Sequence, residues 1–146
     1  MVRILIFGDS IAYGACDKEG GWVQRLRKFF DENYEDYLIY NLSISGDTTE
    51  ELIKRFEFEA KQRLKEKDET IIIFAIGIND SQFVHSKNKN RIALEKFKEN
   101  LRKLIQLAKK FSSKIIFVGL TPVDETKTTP IIWDINKLYK NEYIQK

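Results

Sequence analysis

The sequence predicts an α/β fold in which parallel strands alternate with helices. Three observations carry this. Four strand-length apolar runs are separated by amphipathic segments of helical length. One run, Thr70 to Ile76, is apolar on every residue after the first, as expected of a central parallel strand covered on both faces. The chain has 146 residues, 42% of them hydrophobic, which suits one domain with a full core. Strand–helix alternation implies right-handed crossovers between parallel strands.

The elements follow in order. Arg3 to Phe7 reads as the first strand, beginning almost at Met1. Gly21 to about Asn33 reads as a helix, with Trp22, Val23, Leu26, Phe29 and Phe30 on one face. Tyr37 to Leu42 is the second strand. Asp47 and Thr48 open the next helix, and Thr48 with Glu51 forms a capping-box pattern. Its buried stripe is Leu52, Ile53, Phe56, Ala60 and Leu64, with Phe58 off the stripe. Thr70 to Ile76 is the third strand, and Ser81 to Asn90 is a polar loop. Arg91 to Phe111 is the longest helix, with Leu94, Phe97, Leu101, Leu104, Ala108 and Phe111 in register. Lys114 to Leu120 is the fourth strand and Thr121 to Thr129 a loop. Pro130 suits the first turn of a last helix carrying Trp133, Ile135, Leu138, Tyr139 and Ile144.

Composition excludes several classes. The formal charge is +3, with basic and acidic residues interleaved, which describes a solvated surface and not a nucleic-acid footprint. Cys16 is the only cysteine, so no internal disulfide is expected, and a reducing, cytoplasmic setting fits. With the first strand starting at Val2, no signal peptide is expected. No apolar stretch approaches the ~20 residues a membrane span requires. One histidine and one cysteine cannot build the usual zinc sets, so neither metal nor cofactor is expected.

The chemistry is concentrated in three segments that each follow a strand. Gly8-Asp9-Ser10-Ile11-Ala12-Tyr13-Gly14 sets a glycine-flanked serine on a tight turn at the carboxyl end of the first strand. That is where open α/β sheets place ligands and where a nucleophile is exposed. A glycine-rich turn capped by Asp9 or Ser10 is the plainer reading of the same residues. Asn41-Leu42-Ser43-Ile44-Ser45-Gly46-Asp47-Thr48-Thr49 follows the second strand, and Gly77-Ile78-Asn79-Asp80 the third. A serine attacking a carbonyl needs donors for the oxyanion. The Gly46 backbone N–H and the Asn79 side-chain amide suit that role if the loops converge. Asp9 stands on the substrate side of the turn, where its carboxylate fixes backbone N–H groups and does no chemistry. Asp80 reads as a cap. The Gly8 to Gly14 loop lacks the Gly-Lys-Ser/Thr ending of a phosphate-binding P-loop.

In order and spacing these segments resemble the SGNH hydrolases, also called GDSL-type esterases and lipases. Gly8-Asp9-Ser10 is similar to the first family block, Gly46 to the second, and Gly77-Ile78-Asn79-Asp80 to the third. Gly21-Trp22-Val23 and Asp47-Thr48-Thr49 are similar to the commoner bacterial members, and the likeness covers nearly the whole chain. It implies a flavodoxin-like three-layer α/β/α sandwich with strand order 2-1-3-4-5. This chain holds strands in the order 2-1-3-4, with the fifth missing. The resemblance further implies a serine ester hydrolase acting through an acyl-enzyme, Ser10 being the nucleophile and Ser10 N–H, Gly46 and Asn79 the oxyanion hole. Acetylated sugars, short acyl esters, thioesters and lysophospholipids are the family's substrates.

The family's C-terminal Asp-x-x-His block has no counterpart here. The only histidine, His85, lies in the polar loop with no carboxylate among its neighbours Ser86 to Lys89, so it reads as an exposed loop residue and not the base. Residues 1–146 are therefore expected to be a single, C-terminally incomplete domain. Its fourth strand, Ile115-Ile116-Phe117-Val118, would be a bare apolar edge able to pair a second copy as a homodimer. The alternative expectation is a catalytically inactive ligand-binding module that keeps the fold.

Overall fold

The computed structural model describes residues 1–146. Strand β1 (Val2–Gly8) leads into the one-turn helix α1 (Ser10–Tyr13), then helix α2 (Gly21–Asn33) and strand β2 (Tyr37–Asn41). Helix α3 (Thr49–Lys61), strand β3 (Glu69–Ala75) and two short strands, β4 (Phe83–Val84) and β5 (Lys89–Asn90), follow. A 3₁₀ turn at His85–Lys87 joins β4 to β5. Helix α4 (Leu94–Ala108), strand β6 (Lys114–Phe117), helix α5 (Glu125–Thr128), strand β7 (Lys137–Leu138) and helix α6 (Asn141–Ile144) complete the chain.

The main sheet is parallel, in the order β2-β1-β3-β6, so the expected 2-1-3-4 arrangement is what forms. Alternation along β1 explains the layers. Leu5 and Phe7 point into a core shared with Leu52, Phe56 and Ala60 of α3 and Leu104 and Ala108 of α4. Ile4 and Ile6 point the other way, into a core closed by Val23 of α2 and flanked by Trp22, Leu26 and Phe30. Phe7, Phe56 and Phe74 stack as tilted pairs 4.8 to 6.0 Å apart at the centre of the larger core. The Thr48–Glu51 capping box forms, with Thr48 N–H donating to Glu51 Oε2 at 2.6 Å, so α3 starts where the sequence places it.

Three expectations are corrected. The helix expected from Pro130 does not form. Ile132, Trp133 and Ile135 are 89%, 78% and 80% exposed, so the helical spacing of those apolar residues has no surface to pack on. Instead Asp134 accepts from the Asn136 N–H at 3.0 Å in an Asx turn, and the chain continues as β7. The stretch Ser81 to Asn90, expected as a loop, supplies β4 and β5, which pair with β7 as a second, antiparallel sheet in the order β5-β4-β7. The longest helix is also shorter than its apolar register suggests, running from Leu94 to Ala108.

No helix is long and apolar enough to cross a membrane. Strand β6 forms one edge of the main sheet, with Ile116, Phe117 and Val118 39–49% exposed.

Candidate active site

The three motif loops all leave the carboxyl ends of their strands, and β1 lies between β2 and β3 in register. Gly8 is the Cα partner of Ala75 on β3. On the other side Ile44 N–H donates to Gly8 O at 3.1 Å, continuing the β1–β2 pairing beyond the strand. Strand order reverses at β1, the place where open α/β sheets form their ligand crevice. The crowding there is tight. A Cβ on Gly8 would lie 2.6 Å from Ala12 Cβ and 2.7 Å from Ala75 O, so only glycine fits between the turn and β3.

Ser10 is the first residue of α1. Its N–H has no acceptor in the protein, as expected at a helix start. Asp9 caps α1, its Oδ1 accepting from the Ile11 N–H at 3.0 Å, which holds the serine on the turn. Asn41 secures the same turn from β2: its Nδ2 donates to Ala12 O at 3.0 Å, and its Oδ1 accepts from Ser43 N–H. The turn ends at Gly14, with φ +91°. A Cβ on Gly21 would fall 2.5 Å from Gly14 Cα, and one on Gly14 would collide with the Gly20 carbonyl. The two glycines therefore close the base of the intervening loop.

Gly46 has φ +89°, a left-handed conformation that glycine adopts without cost, and its N–H donates to no acceptor in the protein. Its carbonyl accepts from Arg91 Nη2 at 3.1 Å. Asn79 is 6% exposed and reaches across to the Gly46 loop, its Nδ2 donating to Asp47 O at 2.9 Å. The Asp47 carboxylate is in turn clamped by Arg55 Nε at 2.8 Å, and Arg55 Nη1 donates to Leu42 O and Glu59. The structure thus brings the expected site residues Ser10, Gly46 and Asn79, with Asp9, to one end of the sheet. The N–H groups of Ser10 and Gly46 and one of the two Asn79 amide hydrogens have no acceptor in the protein.

Two buried carboxyls flank this group. Asp9 is pushed up to about 6, chiefly because burial removes it from water, with the Asp47 charge adding to the rise. Asp80, fully buried, is likewise raised to about 6 by burial, against the lowering effect of Thr49, whose N–H and hydroxyl both donate to it. Asp80 joins the third-strand loop to the start of α3, 31 residues upstream, and not to the segment that follows it, which the sequence reading expected it to cap.

A cavity of about 150 Å³ lies directly beside the serine turn. Asp9, Ile11, Trp22, Ile78, Val118 and Leu120 are among the residues around it, so it is mainly apolar. His85 is elsewhere. It is exposed, its ring stands edge-on to Phe83 at 5.6 Å, and it borders a different cavity of about 360 Å³ with Leu94, Leu138 and Tyr143. No group of three or more His, Cys, Asp or Glu side chains is gathered as a metal site would need. Sequence reasoning missed Tyr139, which it placed on a helix face. The structure sets its hydroxyl 3.3 Å from Asn79 Oδ1. No local pattern signals this, because the contact spans 60 residues.

Residues 6–143 match the model of the GDSL-like lipase/acylhydrolase family. The chain is 30% identical over 119 residues to the esterase TesA of Pseudomonas aeruginosa, covering 80% of this chain and 53% of that protein. It is 29% identical over 128 residues to a Bacillus subtilis protein named uncharacterized lipoprotein YqeF, covering 84% and 49%. The chain spans about half the length of these curated relatives. Among solved structures, a crystal structure of TesA is similar with a TM-score of 0.67 at 27% identity, covering 98% of this chain and 67% of that one. The psychrotrophic esterase EstA from Pseudoalteromonas sp. shares the fold with a TM-score of 0.69 at 20% identity, covering 98% and 66%.

Proposed function

Because the chain belongs to the GDSL-like lipase/acylhydrolase family, we propose that it carries the nucleophile and oxyanion hole of a serine ester hydrolase. What supports this is that the loops carrying Ser10, the unpaired Gly46 N–H and the Asn79 amide all leave the carboxyl ends of the neighbouring strands β1, β2 and β3. Ser10 Oγ attacks the ester carbonyl carbon, and its proton passes to a base as the C–O bond forms. The negative charge moves to the carbonyl oxygen, where Ser10 N–H, Gly46 N–H and Asn79 Nδ2 donate to it. The leaving alcohol takes up a proton as its C–O bond breaks. Water then attacks the acyl-enzyme, releasing the acid and restoring the Ser10 hydroxyl.

The apolar cavity beside Asp9 and Ile11 suits a short acyl chain, with Trp22, Ile78 and Leu120 as its walls. His85 borders the other cavity, so this reading assigns the proton acceptor to a histidine that residues 1–146 do not carry. That same observation favours a second reading, a ligand-binding module without turnover.

The test is the 146-residue chain with p-nitrophenyl acetate and butyrate, against Ser10→Ala. A release of p-nitrophenol that Ser10→Ala abolishes, with acyl mass added to Ser10 in the intact protein, supports the hydrolase. Sustained turnover refutes the binding module. Release that survives Ser10→Ala overturns the assignment of the nucleophile.

A further inference from the structure

One side chain carries the C-terminal part of the fold into the site. Tyr139 directly follows β7, which pairs with β4 through Phe83–Leu138 and Val84–Lys137. Its backbone is held on both sides. The Tyr139 N–H donates to Thr128 O at 3.0 Å, and its carbonyl accepts from the Thr128 hydroxyl at 3.0 Å and the Thr129 hydroxyl at 3.2 Å. The phenol oxygen accepts from Gln82 Nε2 at 2.6 Å. With that donor in place, the single phenol proton is directed to Asn79 Oδ1, 3.3 Å away. Burial pushes the Tyr139 phenol above its ordinary range, so it keeps that proton at neutral pH.

An asparagine amide is nearly symmetric in shape, and a half-turn exchanges its acceptor for its donors. At Asn79 the two sides are distinguished. Oδ1 meets a donor, Tyr139, and Nδ2 meets an acceptor, Asp47 O at 2.9 Å. One N–H is used and one is left over. We propose that Tyr139 is a positioning residue that locks the Asn79 amide with its remaining N–H aimed at the oxyanion of the Ser10 adduct. The proposal rests on the hydrolase reading above. Without the phenol, Oδ1 has no donor and the amide turns more freely about χ2, so the N–H spends less time where charge develops. A second phenol in the same segment provides a control. Tyr143 OH donates to Ile92 O at 3.1 Å, tethering the same segment at a point away from the Asn79 amide.

The experiment uses the whole chain and two readouts. The first is the rate at which a p-nitrophenyl ethylphosphonate labels Ser10, read by intact mass. The Oγ–P bond forms, p-nitrophenolate leaves with the electron pair, and the Oγ proton goes to solvent. The second is the pair of ¹⁵N–¹H side-chain amide signals of Asn79, assigned by their disappearance in Asn79→Ala. Tyr139→Phe is expected to slow labelling about tenfold, to move both Asn79 signals, and to add nothing in the Asn79→Ala background. Gln82→Met, which keeps the phenol but removes its orienting donor, should move the same signals and slow labelling less. Tyr143→Phe should leave labelling within about twofold and the Asn79 signals in place.

Unchanged labelling in Tyr139→Phe overturns the proposal. So does an equal loss in Tyr143→Phe, which would reduce Tyr139 to one more tether of the segment, and so do losses that multiply with Asn79→Ala. Wild-type protein that takes no label overturns the hydrolase reading instead. The lock itself is then judged by the amide signals: movement in Tyr139→Phe supports it and stillness overturns it.

Discussion

The Asn79 side-chain amide donates to the Asp47 main-chain carbonyl at 2.9 Å, a bond spanning 32 residues. It joins the loop after β3 to the loop after β2, on either side of the serine turn, and so ties together the loops that carry the two proposed oxyanion donors, Gly46 N–H and Asn79 Nδ2. Asn79→Ala removes one donor and frees the other's loop. Acylation of Ser10 should fall by about 10²–10³-fold. Stability should fall by only about 1–2 kcal/mol, since one buried carbonyl loses its partner. Burst kinetics and urea unfolding on the same preparations measure the two effects.

Stability should decline as pH rises from about 4 to about 6. Asp9 and Asp80 are both raised to about 6 from an ordinary 3.8, mainly by burial. The folded protein therefore holds protons that the unfolded chain has released. The contribution of each group is fully present below pH 3.8 and is lost as pH passes through about 6, at most about 3 kcal/mol per group. Carboxyls held low act with the opposite sign and only at lower pH, as Asp17 does beside Arg25 and Asp68 beside Arg3. Urea midpoints across this range should fall with pH, and Asp9→Asn should flatten the slope. A midpoint that rises over the same range in the wild type would contradict the assignment.

Two glycines should respond differently to alanine. At Gly46 a Cβ meets nothing within 4 Å, and the cost is the φ of +89° alone, about 1 kcal/mol. At Gly8 the Cβ would press on Ala75 O and Ala12 Cβ at 2.7 and 2.6 Å, so backbone must move. Gly8→Ala should destabilise by about 3 kcal/mol or more. Gly46→Ala should fold nearly normally but label Ser10 more slowly, because its N–H is displaced. Chemical unfolding separates them.

The β6 edge should drive self-association. Ile116 and Phe117 are 49% and 39% exposed on a strand with one side unpaired. Sedimentation equilibrium should show mass rising with concentration, and Ile116→Lys should return the protein to a monomer. A wild-type monomer at millimolar concentration would remove this expectation.

Much of the main sheet was legible because it is built from long, one-sided or two-sided patterns. The run Thr70 to Ile76 needed only its unbroken apolarity, and α3 its capping box and its stripe through Leu52, Phe56 and Ala60. That Ser10, Gly46 and Asn79 lie at one end of the sheet followed from the strand order that the family resemblance implies. The small sheet was not legible, since strands of two residues have no period to read. The segment after Pro130 misled for a physical reason. Ile135, Leu138 and Tyr139 have helical spacing, but no core surface remains for Trp133 or Ile135, and main-chain pairing with β4 decides the conformation. Tyr139 was invisible for the same reason, as its role depends on that pairing.

The contact between Gly14 and Gly21 has a practical consequence for redesign. It narrows the stalk of the loop Ala15 to Gly20, and the Ala15 N–H donates to Ser10 O at 2.9 Å, so a graft should begin beyond Ala15. The tip is a cassette. Segments of other lengths and compositions can be grafted there to give the crevice a new rim, while the turn that presents the hydroxyl is left untouched.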